Sequence, residues 1–102
     1  MQIEVKRLWG RNELYIDGFP QSTRNYRNDW LKLLRQSGVL HKPNQKVLLL
    51  GMGGGDIIKL LTSYQPTTKI TAVEIVEELV EMAENYFGIA QSENLHIKIA
   101  DA

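Results

Sequence analysis

Apolar residues change their spacing repeatedly along this chain, and each change predicts a different element. Ile3 and Val5, then Leu14 and Ile16, alternate with polar residues on either side of Gly10-Arg11-Asn12. That pattern predicts a β-hairpin turning near Gly10, with Gly18-Phe19-Pro20 ending its second strand. Tyr26, Trp30, Leu33 and Leu34 then recur at helical spacing, which predicts an amphipathic helix over about 24–36, stopped at Gly38. His41-Lys42-Pro43-Asn44-Gln45 reads as a polar connector.

The pattern is different beyond it. Val47 to Leu50 is a continuous apolar run, the signature of a strand buried on both faces. Asp56 is placed to cap a helix from Ile57 to about Tyr64, with Ile57, Ile58, Leu60 and Leu61 on its buried side and Pro66 ending it. Ile70 to Val73 predicts the next strand. Val76, Leu79, Val80, Ala83 and Phe87 form the apolar stripe of a further helix, with Glu77, Glu78, Glu81 and Glu84 opposite and Gly88 at its C-terminal cap. Leu95, Ile97 and Ile99 alternate into a third strand. Strands alternating with helices imply βαβ units with right-handed crossovers. The expected fold is α/β: an N-terminal β-hairpin over residues 1–22, then a partial Rossmann-like parallel sheet with flanking helices over 23–102. Three parallel strands would leave the Val47–Leu50 strand with an open apolar edge. We therefore expect either a homo-oligomer that completes the sheet or a missing C-terminal half.

Composition narrows the class without changing that picture. The 102 residues are 43% hydrophobic and 24% charged, which is globular and sufficient for one domain. Without cysteine there is no disulfide framework and no thiolate metal site. No apolar stretch approaches the roughly 18 residues of a membrane span, and the start MQIEVKRLWG lacks a signal-peptide core. A cytoplasmic location with no membrane partner is expected. Zero net charge hides an asymmetry: residues 1–46 hold nine Lys/Arg against four Asp/Glu, and residues 47–102 hold three against eight. The basic residues are scattered, so no nucleic-acid partner is expected.

The chemistry concentrates in Val47-Leu48-Leu49-Leu50-Gly51-Met52-Gly53-Gly54-Gly55-Asp56, with Glu74 nineteen residues after Gly55. An apolar strand, a glycine turn, a helix and an acid ending the next strand are how this unit holds a nucleoside. The backbone approaches the ligand at Gly51, Gly53, Gly54 and Gly55, and Glu74 can accept both ribose hydroxyls. Asp101, ending the third strand, could accept an adenine amino group. Asp56 at a helix N-terminus would repel a pyrophosphate, and no Gly-Lys-Ser/Thr follows, which excludes a nucleoside-triphosphate loop. A ligand with positive charge and no phosphate fits better: the sulfonium of S-adenosylmethionine or of its decarboxylated form.

Tyr15-Ile16-Asp17-Gly18-Phe19-Pro20-Gln21, the Val47–Asp56 turn, the run Ala72 to Ala83 and Ile99-Ala100-Asp101-Ala102 together resemble the spermidine synthase family, within the class I S-adenosylmethionine-dependent transferases. The resemblance implies an N-terminal β-hairpin domain, often used in oligomer contacts, ahead of a Rossmann-like domain. It also implies a small-molecule nucleoside site made by the glycine loop, Glu74 for the ribose and Asp101 for the adenine, with Gln21 nearby, and aminopropyl transfer to a polyamine. Two positions depart from that pattern. The family's aspartate inside the glycine turn, which holds the amine of decarboxylated S-adenosylmethionine, aligns with Gly54; its Tyr-His pair aligns with Trp30-Leu31. The residue that deprotonates the attacking amine lies beyond Ala102, so no catalytic residue is assigned. Methyl transfer on the same fold, and a non-catalytic nucleoside-binding or assembly module, are the alternatives.

Other constellations are weak. His41 and His96 do not pair as metal ligands, and Ser22, Ser37, Ser63 and Ser92 lack a nucleophile context. The Glu77/Glu78/Glu81/Glu84 face reads as a solvated helix surface, and no metal is expected.

Overall fold

The computed structural model describes every residue from Met1 to Ala102. Its first layer is a three-stranded antiparallel sheet of β1 (Ile3–Leu8), β2 (Arg11–Ile16) and β3 (Phe19–Ser22). β1 and β2 pair from Ile3↔Ile16 to Leu8↔Arg11, leaving Trp9-Gly10 as a two-residue turn. Both have positive φ, 53° and 75°, the backbone that matches the twist of a hairpin. The expected hairpin therefore gains a third strand. Gly18-Phe19-Pro20 turns the chain but does not end the sheet: Pro20 pairs with Tyr15 in a strand at the sheet edge, where a missing N–H is tolerated.

Thr23 follows as the N-cap of α1 (Arg24–Ser37), its hydroxyl accepting from the Tyr26 amide. Gly38 stops α1 as the sequence predicts, in the left-handed conformation, its N–H donating to the Arg35 carbonyl. A short 3-10 turn, Val39–His41, leads to β4 (Lys46–Leu50). α2 (Asp56–Tyr64), β5 (Lys69–Glu74), α3 (Glu77–Tyr86) and β6 (Leu95–Ile99) complete the chain. β4, β5 and β6 form a parallel sheet in that order, with Leu49, Ala72 and Ile97 in register. No helix is long and apolar enough to cross a membrane.

Strand order running one way through right-handed crossovers puts both crossover helices on one face of the sheet. The core reflects this. Ile58 and Leu61 of α2 and Val80 and Ala83 of α3 pack with Ile70, Ala72 and Leu95, against Val47, Leu49 and Ile97. β4 is therefore not buried on both faces as its apolar run predicts. Leu48 and Leu50 point away from the helices and are 65% and 60% exposed, because no helix covers that side. A continuous apolar run specifies a strand, but it cannot specify what covers each face.

A second, smaller cluster joins the two sheets. Leu14 of β2, fully buried, packs on Leu79 and Phe87 at α3, with Ile3, Val5, Ile16 and Val76 around them. Burying one leucine this way contributes about 1.5–3 kcal/mol. Ser22, the β3 partner of Leu14, meets the loop that leaves β4, and that approach builds the site.

Candidate functional site

The glycine loop leaves β4 at its C-terminal end, and Glu74 ends β5 beside it. This is the crevice where open α/β sheets bind ligands. Gly51 N–H donates to the Val73 carbonyl, which continues the strand pairing by one residue into the loop. Glu74 is buried, and both its carboxylate oxygens are engaged by backbone. Oε1 accepts from the Met52 amide at 3.0 Å and Oε2 from the Val76 amide at 3.1 Å. Each oxygen keeps a second acceptor position, so the group is held in a fixed orientation with capacity left for a ligand's hydroxyls.

Asp56 is also buried, but it does not cap α2. Gly55 occupies the N-cap position without a side-chain bond, and Asp56 is the first helical residue. Its carboxylate turns toward the N-terminal sheet, where the Ser22 hydroxyl donates to Oδ2 at 2.9 Å and Arg27 Nη1 lies 4.0 Å from Oδ1. The local preference for capping loses to a partner 34 residues away in sequence. Burial pushes the Asp56 carboxyl above the ordinary carboxylate range, against the lowering effects of the Ser22 hydrogen bond, Arg27 and Lys59. Burial likewise lowers Lys59, and Asp56 partly offsets it.

Gly54 is where the N-terminal sheet meets the loop. A Cβ built on it would stand 2.8 Å from the Ser22 Cβ and 2.9 Å from its Oγ. Gly55, at φ 88°, approaches Ile89 even more closely. These two glycines are required by packing, whatever they do for a ligand.

Together these elements enclose a cavity of about 260 Å³. Gln21, Gly51, Gly53, Gly54, Asp56 and Glu74, six of the eight residues singled out in the sequence, line it. Gly55 lies behind the wall against Ile89, and Asp101 is exposed just past β6, off the cavity. Four apolar residues complete the lining: Trp30 of α1, Met52, Ile57 and Leu79. Sequence reasoning treats Ile57 and Leu79 as core, because helical periodicity does not distinguish a core face from a pocket wall. Ser22 and Arg27 were likewise missed as neighbours of Asp56. The available signal was the proximity of Ser22 to Gln21, which fixes where β3 approaches the loop.

No protein-family model matches the chain. Among curated proteins it is similar to the eEF1A lysine and N-terminal methyltransferase of Xenopus laevis, at 32% identity over 71 residues, 70% of this chain and 10% of that protein. It is also similar to a polyamine aminopropyltransferase of Vibrio vulnificus, at 31% identity over 67 residues, 65% of this chain and 22% of that one. Among solved structures, human Methyltransferase-like protein 13 in complex with SAH matches 76% of this chain and 35% of its own, with TM-score 0.57 and 33% identity. Spermidine synthase from Thermotoga maritima matches 97% of this chain and 36% of its own, with TM-score 0.76 and 20% identity. The chain thus spans about a tenth of the curated methyltransferase and about a fifth of the curated aminopropyltransferase.

Proposed function

We propose that this chain, which has the fold shared by spermidine synthases and class I S-adenosylmethionine-dependent methyltransferases, binds S-adenosylmethionine at the Gly51–Asp56 loop and serves methyl transfer. Glu74 takes the ribose hydroxyls with the acceptor positions its two backbone partners leave free. The loop backbone lies against the ligand, and Asp56, the other carboxylate on the wall, complements the sulfonium charge. In the transfer, a nucleophile on the acceptor attacks the methyl carbon, the carbon–sulfur bond breaks with its electrons going to sulfur, and a neutral thioether leaves. The acceptor gives up its proton to solvent or to a base.

One observation carries the choice between methyl and aminopropyl transfer. The side-chain position of Gly54, where the aminopropyl transferases keep an aspartate for the amine of the decarboxylated ligand, is filled by Ser22 at 2.8 Å. Trp30 on the same wall brings an indole where a polyamine would need hydrogen-bond acceptors.

The aminopropyl reading keeps one specific support, the three-stranded N-terminal sheet within a match spanning 97% of the chain. Calorimetric titration with S-adenosylmethionine, its decarboxylated form and methylthioadenosine separates the two. Tighter binding of the carboxylated form is expected, and tighter binding of the decarboxylated form would restore aminopropyl transfer. A folded chain that binds none of the three would end the nucleoside reading.

A further inference from the structure

A second cavity, of about 390 Å³, opens between the hairpin turn and the start of α1. Leu8, Trp9, Arg11, Glu13, Arg24 and Arg27 line it. Three arginines and a single carboxylate share this lining, and that carboxylate is already engaged. Glu13 Oε1 accepts from the Tyr15 hydroxyl at 3.1 Å and Oε2 from the Arg24 amide at 3.0 Å. The Arg27–Asp56 contact is the chain's one ion pair, so the Arg11 and Arg24 guanidiniums have no carboxylate within 4.0 Å. Arg27 Nη2 is buried and without a hydrogen-bond partner.

Like charges gathered in a cleft raise one another's energy, and a bound anion relieves that repulsion. Guanidinium is the side chain whose planar fork matches a carboxylate or phosphate with paired hydrogen bonds. Trp9 adds an apolar lip. It is 98% exposed and is held out by a left-handed backbone conformation at φ 53°, with no packing partner. Arg27 ties this pocket to the first one, because its Nη1 lies 4.0 Å from Asp56, which lines the nucleoside cavity.

We propose that this pocket binds an oxyanion, a carboxylate or phosphate group, and that it selects an acidic small-molecule acceptor in place of a cationic polyamine. The acceptor role rests on the proposed transferase function; the anion site stands on its own residues.

The test uses the whole chain carrying Trp30→Phe, so that Trp9 is the one tryptophan reporting. Inorganic phosphate, succinate and spermidine are titrated separately at constant ionic strength, with Trp9 emission as readout. Saturable change with phosphate or succinate is expected, and which of the two binds tighter identifies the oxyanion. Spermidine should give none. Arg11→Gln with Arg24→Gln should weaken anion binding at least tenfold. Both residues are exposed, and the Arg24 bond to Glu13 comes from backbone, so the double variant keeps its fold by circular dichroism. No saturable anion response, undiminished binding in the double variant, or equal binding of spermidine would each overturn the proposal. Parallel calorimetric titration of S-adenosylmethionine into the unsubstituted chain, with Trp30 in place, keeps the two readings apart, since a chain can fail at one site and bind at the other.

Discussion

Ser22 and Asp56, 34 residues apart, meet in a buried hydrogen bond of 2.9 Å that fastens the N-terminal sheet to the glycine loop. Ser22 also fills the space beside Gly54. One small residue therefore sets both the orientation of the loop's acid and the room left for a side chain inside the loop.

Gly54→Ala should destabilise the chain by about 1–3 kcal/mol through overpacking against Ser22. For a domain of this size each kcal/mol lowers the melting temperature by roughly 4–8 °C. In a Ser22→Gly background the same change should cost much less, since the opposing Cβ is gone. Thermal melts of the four proteins in this cycle measure the coupling. Equal cost in both backgrounds would show that the contact does not decide the position.

Asp56 should give stability a distinct pH dependence. Its native carboxyl titrates above the ordinary value, chiefly because it is buried. Between the ordinary and the raised value the native state holds a proton the unfolded chain has released. The stability tied to this group is therefore full below that window and is lost as pH rises through it. Asp56→Asn lacks the group, so its stability relative to wild type should improve from about pH 4 to about pH 7. Urea titrations at both values test the sign.

Glu74→Ala should remove both nucleoside binding and stability. It leaves the Met52 and Val76 amides without their acceptor, at about 1–3 kcal/mol for the buried Met52 donor and less for the part-buried Val76 donor. Glu84→Ala, on the exposed face of α3, should change neither beyond about 0.5 kcal/mol. Denaturant titration and calorimetry on the pair tell a local role for Glu74 from a general effect of losing an acid.

The two faces of β4 and its neighbours should respond differently. Leu48→Thr and Leu50→Thr remove exposed side chains and should stay within about 0.5 kcal/mol of wild type. Ile70→Ala, in the core beneath, should cost about 2–5 kcal/mol. A large loss at Leu48 in the isolated chain would mean that the sheet's second face is already covered in solution.

Most of the element order could be read from residue spacing, because a period of two or of 3.6 is a local property of the chain. Gly38 was legible for the same reason, as a glycine just past an apolar stripe, whereas the cap of α3 is Phe87 and Gly88 follows it at φ 67°. Arg24–Ser37 and Glu77–Tyr86 fall where their periodicity puts them. β3 was not legible, because a strand of four residues containing Pro20 carries almost no alternation. Nor was the exposed side of β4, because apolar residues on a strand look alike whether or not a helix covers them.

The site divides along the same line. Sequence by itself determined the glycine loop and the acid ending the next strand, because strand, turn and spacing are set by neighbours along the chain. Only the tertiary structure decided what those groups face. It turned Asp56 away from its own helix toward Ser22, gave Glu74 two backbone donors, set Asp101 off the cavity wall and brought three arginines into one cleft. The physical reason is that a buried polar group must be satisfied by whatever packing brings within about 3 Å. In this fold the nearest partners of Asp56 come from the N-terminal sheet and α1, which no local spacing encodes.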